Sequence, residues 1–319
     1  MNDDSPRGFE KIKYWWYRAL GYSDTQARWQ LRKRPEETSQ RRELRYTHCA
    51  SCQHLMLLSD DRCGRCGQRQ NIPSWWIKLS HSVSVQPEAV IPFIVALCLF
   101  GYLIQIQLGG SLMGGIGGDH EVSRRILFVG ASLPMPLSTH LSPEYGWRLF
   151  TYTLLHGNLM HIGFNLVALF QIGPLVARTF GFSRTFLIWV ASGAGAILLP
   201  ATIFPTTGLT IGASGSVFGL IGVAMVFGHR VGTAQGRFIR NKMIEWTVFC
   251  TLFGMMMGGV AHSAHFGGLI TGGLFSFLIK PPQSATDRAR SALLVLPAFL
   301  FVAWSLWVAY GVYQEISLY

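Results

Sequence analysis

The sequence predicts an all-α membrane protein that crosses the bilayer several times. Half of its 319 residues are hydrophobic and only 13% are charged, whereas a soluble protein of this length carries about 25% charged residues. The apolar residues also come in long blocks, each close to the roughly 17–25 residues that cross a bilayer core as a helix. These two observations place the chain in the class of polytopic membrane proteins.

Seven blocks have the length of a membrane span. They cover residues 89–107, 149–173, 184–204, 211–228, 243–259, 262–279 and 292–313. The second is expected to begin nearer Thr153, after a loop, and the glycine-rich fourth to sixth have the least sharply marked boundaries. The fifth and sixth are also compatible with one long hairpin. The N-terminal region is charged and contains no apolar run, so no cleavable signal peptide is expected.

Basic residues alternate between the two sides of these spans. They are concentrated in the N-terminal segment and in the second, fourth and sixth connections, which include Arg184, Arg230 and Lys280. The third and fifth connections carry no charge. Under the positive-inside rule, this distribution places the N-terminus in the cytoplasm and the C-terminus outside, and we expect the plasma (inner) membrane of a bacterium. The net charge of +11 therefore reflects topology, and no nucleic-acid partner is expected.

Cysteine pairs precede the first span. Four of the six cysteines form two Cys-x-x-Cys motifs, namely Cys49, Cys52, Cys63 and Cys66. Two thiolate pairs on tight turns suit tetrahedral Zn²⁺, and a reducing cytosol disfavours disulfides. The spacing predicts a small cytosolic zinc ribbon, with a redox dithiol as the alternative; His48 and His54 are substitute ligands or bystanders. The ribbon is either a metal staple or a module for sensing or for binding a cytosolic protein.

The composition predicts five regions along the chain. A basic and aromatic segment (1–46) suits contact with an anionic membrane face or packing on the ribbon. The remaining regions are a zinc-ribbon-like module (47–70), a linker (71–88), a six-helix core (89–280), and a last region (281–319) with a cytosolic loop, the seventh span and a short tail.

Four polar side chains lie inside three of the predicted spans. His161 and Asn165 are in the second, Ser214 is near the start of the fourth, and His265 is near the start of the sixth. Even-numbered spans begin at the outer face in the orientation above, so all four are expected in the outer half of the bilayer. Polar groups at this depth are costly and mark a functional site.

A serine and a histidine in contact are the basis of acyl transfer. A neutral imidazole can remove the proton of a serine hydroxyl, so we expect Ser214 to be the nucleophile and His265 the general base and then the general acid. No Asp or Glu lies in the interior of a span, so His265 would be oriented by packing or by an uncharged partner. His161 and Asn165 share a helix face and, with backbone N–H groups at the helix start, are candidate oxyanion donors.

Glycines at three- and four-residue spacing accompany this group. They are Gly215, Gly219 and Gly222 on the fourth span, and Gly268 and Gly272 on the sixth. Small residues let two membrane helices approach closely, which a Ser–His hydrogen bond between helices requires.

Each polar residue in these spans also has a less specific interpretation. A membrane serine usually bonds a backbone carbonyl, while His156 and His262 are expected to be loop or rim residues. A metal site of His161, His262 and His265 would leave Ser214 and the glycines unexplained. The missing carboxylates disfavour an aspartyl protease, an H-E-x-x-H metalloprotease and a proton-coupled transporter.

These motifs resemble those of the rhomboid family of intramembrane serine proteases. The resemblance covers about residues 88–280 and rests on residues 156–165, 212–215 and 264–268, together with Trp147-Arg148. It implies a rhomboid-like six-helix core with a Ser–His dyad, plus a seventh C-terminal span, and oxyanion roles for the residues at 161 and 165. It also implies a lateral loop at 108–148 and a substrate gate at the fifth span.

The resemblance also implies the substrates, which are transmembrane helices of membrane proteins cut near their outer ends. Zn²⁺ would not be needed for this catalysis. The alternative is a rhomboid-like adaptor that binds membrane helices in the bilayer and hands these clients to a cytosolic partner through the zinc ribbon.

Overall fold

The structure is a computed structural model in which the chain forms two compact units. The described residues are 24–25, 46–49, 54–57, 60, 62–69, 86–107, 130–132, 135–203, 209–257, 259–282 and 285–317. The chain divides into two compact units, Met1–Ser74 and Trp75–Tyr319. Within the described residues, the first unit holds the cysteine motif and the second holds every long helix.

The first unit contains a short antiparallel hairpin. Strand β1 (Tyr46–His48) pairs with strand β2 (Leu55–Leu57), and Cys49 follows β1 directly. A single bridge between Arg62 and Arg69 closes a second turn. Backbone hydrogen bonds therefore fix Cys49 at the end of β1 and Cys63 at the start of the second turn, which also carries Cys66.

The second unit is helical, which confirms the predicted all-α class. After a 3₁₀ turn at Pro87–Ala89, the helices are α1 (Val90–Gln107), α2 (Leu137–His140), α3 (Arg148–Thr151), α4 (Leu159–Ile203), α5 (Ser214–Val231), α6 (Ala234–Met257), α7 (His262–Leu278), α8 (Ala285–Leu294) and α9 (Leu296–Ser317). A further 3₁₀ turn, Tyr152–Leu154, follows α3.

Four helical stretches in the described residues are long and apolar enough to cross a membrane, judged by length and composition. They are Pro87–Gln107, Leu159–Thr202, Ser214–Val231 and Ala289–Glu315. The second of them has 44 residues, about twice the length that a bilayer core requires. Its backbone breaks at Gly181, where φ is 82°. The stretch is therefore two helices joined at Gly181, which correspond to the second and third predicted spans; the label α4 covers both.

Two predicted spans differ from the helices that contain them. The second span was expected from 149 or Thr153, but α4 begins at Leu159, because the backbone becomes extended at Leu155 after the 3₁₀ turn. Tyr152 lies in that turn, and its hydroxyl donates to the carbonyl of Gly193 at 2.8 Å. The fifth was expected at 243–259, but α6 begins at Ala234 with a charged first half. This charged part explains why α6 is not among the four apolar stretches.

Glycines let α5 and α7 touch backbone to backbone. A Cβ atom on Gly268 would overlap the carbonyl oxygen of Gly215, and a Cβ on Gly272 would overlap the carbonyl oxygen of Gly219. The two glycine stripes therefore face each other, as their spacing predicts. This contact fixes the distance between the two helices that carry Ser214 and His265.

We expect Gly272→Ala to lower the melting temperature of the protein in detergent, because the added methyl group overlaps the backbone of α5. Overpacking of this kind typically costs about 1–3 kcal/mol. Gly163→Ala is the matched control, since a Cβ there meets nothing within 4 Å and alanine favours a helix. Equal melting temperatures for Gly272→Ala and wild type would contradict the contact.

Candidate active site

The polar residues singled out by the sequence meet at one end of the helix bundle. Ser214 is the first residue of α5 and His265 is the fourth of α7. The Oγ atom of Ser214 lies 2.8 Å from Nε2 of His265. The His265 side chain is only 8% exposed, so this hydrogen bond is shielded from competing polar groups. The expected Ser–His contact across the two helices is therefore present.

An aromatic ring orients His265. The imidazole stacks on the ring of Phe218 with centroids 4.2 Å apart and an interplanar angle of 14°, and His262 contacts it edge-on at 5.8 Å. Within the described residues, Nδ1 of His265 has no hydrogen-bond partner. Packing thus takes the place of a carboxylate. Phe218 was not expected from the sequence, although its position four residues after Ser214 puts both on one helix face.

Backbone hydrogen bonds hold the segment that leads into Ser214. The N–H of Thr210 donates to the carbonyl of Ser132 at 2.8 Å, and the N–H of Gly212 donates to the carbonyl of Tyr152 at 2.9 Å. Gly212 has a φ of 115°, in the left-handed region that favours glycine. The turn before α5 is therefore fixed to the two segments beside it.

His156 lies beneath this turn and holds its last residue. Its ring is fully buried, and Nε2 accepts a hydrogen bond from the N–H of Ala213 at 3.4 Å. Nδ1 lies 3.2 Å from the carbonyl of Leu154, so the proton of a neutral imidazole belongs on Nδ1. Gln105 bonds both the N–H (2.9 Å) and the carbonyl (2.5 Å) of His156. The sequence predicts His156 at the lip of the second span, where it would structure the loop; the structure buries it completely, beneath the turn before α5.

His161 and Asn165 point donors toward the same turn. The N–H of Gly157 donates to Nδ1 of His161 at 3.2 Å; because a backbone amide can only donate, the proton of neutral His161 sits on Nε2. A Cβ atom built on Gly212 would lie 2.8 Å from Nε2 of His161 and 3.8 Å from Nδ2 of Asn165. One N–H of the Asn165 amide donates to the carbonyl of His161 at 3.0 Å, and the same NH₂ group carries a second N–H donor. Both side chains therefore offer N–H groups close to Gly212, in the turn that leads into Ser214.

The described end of the predicted lateral loop packs beside this site. Arg148 donates to the carbonyl of Ala131 at 3.0 Å, and its guanidinium lies 5.0 Å from the Trp147 ring. The indole N–H of Trp147 donates to the carbonyl of Glu144 at 2.8 Å. The rest of the predicted loop, residues 108–129 and 133–134, lies outside the described residues.

Three cysteines of the N-terminal unit converge. The Sγ atoms of Cys49, Cys63 and Cys66 all lie within 4.8 Å of one another, and those of Cys49 and Cys66 are 3.5 Å apart. Two thiolates on a tetrahedral zinc ion are about 3.8 Å apart. The N–H of Arg65 donates to Sγ of Cys63 at 3.4 Å, as suits a thiolate. The three residues fit a metal ion, and the fourth predicted ligand, Cys52, lies outside the described residues.

The region that holds the polar site matches a known domain. Residues 143–282 match the Rhomboid domain family model. The chain belongs to the rhomboid family. Its rhomboid domain contains α4 to α7 and all four of the predicted site residues. Together with the long apolar helices, the domain identifies a multi-pass membrane protein.

Relatives of this rhomboid domain occur in plants and bacteria. RHOMBOID-like protein 4 of Arabidopsis thaliana is 35% identical over 150 residues, which are 43% of this chain and 36% of the relative. The rhomboid protease GluP of Bacillus subtilis is 30% identical over 152 residues, 47% of this chain and 30% of GluP. The putative rhomboid protease YdcA of the same species is 31% identical over 132 residues, 41% of this chain and 66% of YdcA. This chain thus spans about a third of the length of the first two relatives.

Proposed function

We propose that this rhomboid protein is an intramembrane serine endopeptidase that cleaves transmembrane helices of membrane proteins near their outer ends. The observation that carries the proposal is the 2.8 Å hydrogen bond between Ser214 Oγ and His265 Nε2, made at the end of a bundle of apolar helices. The names of GluP and YdcA as rhomboid proteases support it.

In the proposed reaction, Ser214 and His265 share the proton transfers. Nε2 of His265 takes the hydroxyl proton as Ser214 Oγ attacks the scissile carbonyl carbon. When the tetrahedral intermediate collapses, the C–N bond breaks and His265 gives the proton to the leaving amine. Water then attacks the acyl-enzyme with His265 again as base, which releases the acid product and restores the serine.

Three N–H donors are available for the oxyanion. The backbone N–H of Ser214 lies at the start of α5, where amide groups lack helical acceptors. His161 contributes Nε2–H and Asn165 contributes its second amide N–H, by the hydrogen-bond pattern around each side chain. The N–H of Ala213 is already bonded to His156 and is not counted among them. Loss of one such donor typically lowers the rate by about 10²–10³.

We expect Ser214→Ala and His265→Ala each to lower the cleavage of a model transmembrane substrate in proteoliposomes by at least about 10³-fold, since the two groups act as a unit. Ser216→Ala is the matched control. This neighbouring serine is fully buried and its hydroxyl has no partner among the described residues, so the variant should keep both its fold and its activity.

Activity that survives in Ser214→Ala would rule out the proposed nucleophile. The adaptor alternative predicts a different pattern, in which wild type and Ser214→Ala bind the substrate helix equally and neither cuts it. Crosslinking of the substrate, measured beside its cleavage, separates these outcomes.

We expect Phe218→Leu to lower kcat by about 10–100-fold with little change in KM, because leucine fills space but does not hold the imidazole plane, and small misplacements are costly in catalysis. Phe180→Leu is the control, since Phe180 is also buried but contacts Phe227 edge-on, away from the site. Both variants should lose similar stability, so an equal loss of kcat in the two would show that Phe218 acts through stability alone.

We further propose that the N-terminal unit binds one Zn²⁺ through Cys49, Cys63 and Cys66, with Cys52 as fourth ligand. The role of the ion is structural or regulatory, since no step at Ser214 uses it. The convergence of three sulfur atoms supports this assignment, and thiolate ligands in a tetrahedral set favour zinc.

We expect purified wild-type protein to contain about one zinc per chain and Cys63→Ser to contain much less, measured by elemental analysis. Cys250→Ser is the control, because Cys250 lies in α6 outside the cluster. Zinc retained in full by Cys63→Ser would contradict the site. Metal-free wild-type protein in which two of these thiols form a reversible disulfide would contradict it as well and would favour the redox alternative.

A further inference from the structure

A second polar site lies at the other end of α5. A cleft of about 250 Å³ opens there beside the end of α7; it is lined by Phe227, Arg230, Val231, Ser276, Ile279, Lys280 and Pro281. The 18 residues of α5 make it about 27 Å long, close to the thickness of a bilayer core. The cleft therefore lies where these helices leave the membrane, on the side opposite Ser214.

The cleft carries two positive charges without a carboxylate partner. In the parts of the chain that the structure describes, Arg184 pairs with Asp287 at 2.9 Å and Lys242 pairs with Glu245 at 2.7 Å. Arg230 and Lys280 belong to no ion pair within the same described residues. The cleft is thus left with an excess of positive charge.

Arg230 is held in place at the wall of the cleft. Its guanidinium lies 4.9 Å above the ring of Phe277, and its Nη1 donates to the carbonyl of Ser276. An arginine has five N–H donors in a planar fork that matches a phosphate group. One donor is occupied in the described structure, so the fixed side chain can still present others to an anion.

Ser276 adds an unsatisfied hydroxyl to the same wall. The residue is completely buried, and its Oγ has no hydrogen-bond partner among the described residues. A buried hydroxyl without a partner is unfavourable, and a phosphate oxygen bound in the cleft would accept its proton. Because Ser276 also lines the cleft, its hydroxyl suits the same anionic ligand as the two charges.

We propose that the cleft binds the phosphate of an anionic phospholipid headgroup. Arg230, Lys280 and Ser276 would contact the phosphate oxygens, while Phe227, Val231 and Ile279 would cover the apolar part of the lipid. The volume lies below the roughly 300–1,000 Å³ of pockets for drug-sized ligands, which suits a group as small as a phosphodiester. Basic pockets between membrane helices on the cytoplasmic side are known to favour anionic headgroups, and the positive-inside pattern predicts that side for this cleft.

Lipid binding at the cleft does not depend on catalysis and can be measured directly. Purified full-length protein in detergent is titrated with phosphatidylglycerol or phosphatidylcholine, and bound lipid is counted by native mass spectrometry. We expect one phosphatidylglycerol to bind more tightly than phosphatidylcholine. Lys280→Gln and Arg230→Gln each remove one basic contact, so each should weaken the affinity for phosphatidylglycerol about fivefold. Ser276→Ala should weaken this affinity as well.

Arg237→Gln is the matched control. Arg237 is exposed and donates to a backbone carbonyl, that of Gly232 at 2.7 Å, much as Arg230 does, but it does not line the cleft. The affinity of this variant for phosphatidylglycerol should stay within about twofold of wild type. We expect Lys280→Gln to keep the native fold, because Lys280 makes no hydrogen bond or ion pair to the other residues that the structure describes.

Three results would overturn the proposal. The first is equal retention of phosphatidylglycerol and phosphatidylcholine, and the second is an equal effect of Lys280→Gln and Arg237→Gln on phosphatidylglycerol binding. The third is displacement of the lipid by millimolar inorganic phosphate with the same dependence on Lys280, which would make free phosphate the ligand in place of a lipid.

Discussion

The backbone contact between α5 and α7 is the constraint on which the rest of the site depends. Ser214 has a short side chain, so a partner on another helix can reach its hydroxyl only if the two helices almost touch. The glycine pairs Gly215/Gly268 and Gly219/Gly272 allow that approach, because no Cβ atom separates the two backbones. Ser214 and His265 then meet at 2.8 Å without a carboxylate to draw them together.

A second requirement is that the polar turn before α5 must be satisfied inside an apolar bundle. Unpaired backbone groups are costly in lipid, and here Tyr152 and His156 accept the two N–H groups that precede Ser214. Gln105 in turn fixes the backbone of His156. The buried polar residues of α1 and of the segment before α4 therefore hold Ser214 at the helix start, and the N–H groups of His161 and Asn165 face the same turn.

Much of this site could be predicted from the sequence, because polar residues stand out in apolar helices and small-residue stripes reveal close contacts. Other features have no such signal. Phe218 resembles any core aromatic until its ring is seen against His265. Hydropathy does not show that the two halves of α4 join directly at Gly181, where the backbone is not helical. The amphiphilic start of α6 hid its first nine residues from a search for apolar blocks. The role of Cys52 and the boundaries of the N-terminal regions stay predictions.

The most direct test of the Ser–His dyad is the reaction of the protein with a fluorophosphonate, which labels a serine only where a base activates it. After labelling in detergent, peptide mass mapping locates the adduct. A dyad predicts one adduct, on Ser214, and its loss in His265→Ala while the variant stays folded. An adduct on another serine, or undiminished labelling of Ser214 without the imidazole, would contradict a dyad created by the contact of α5 and α7.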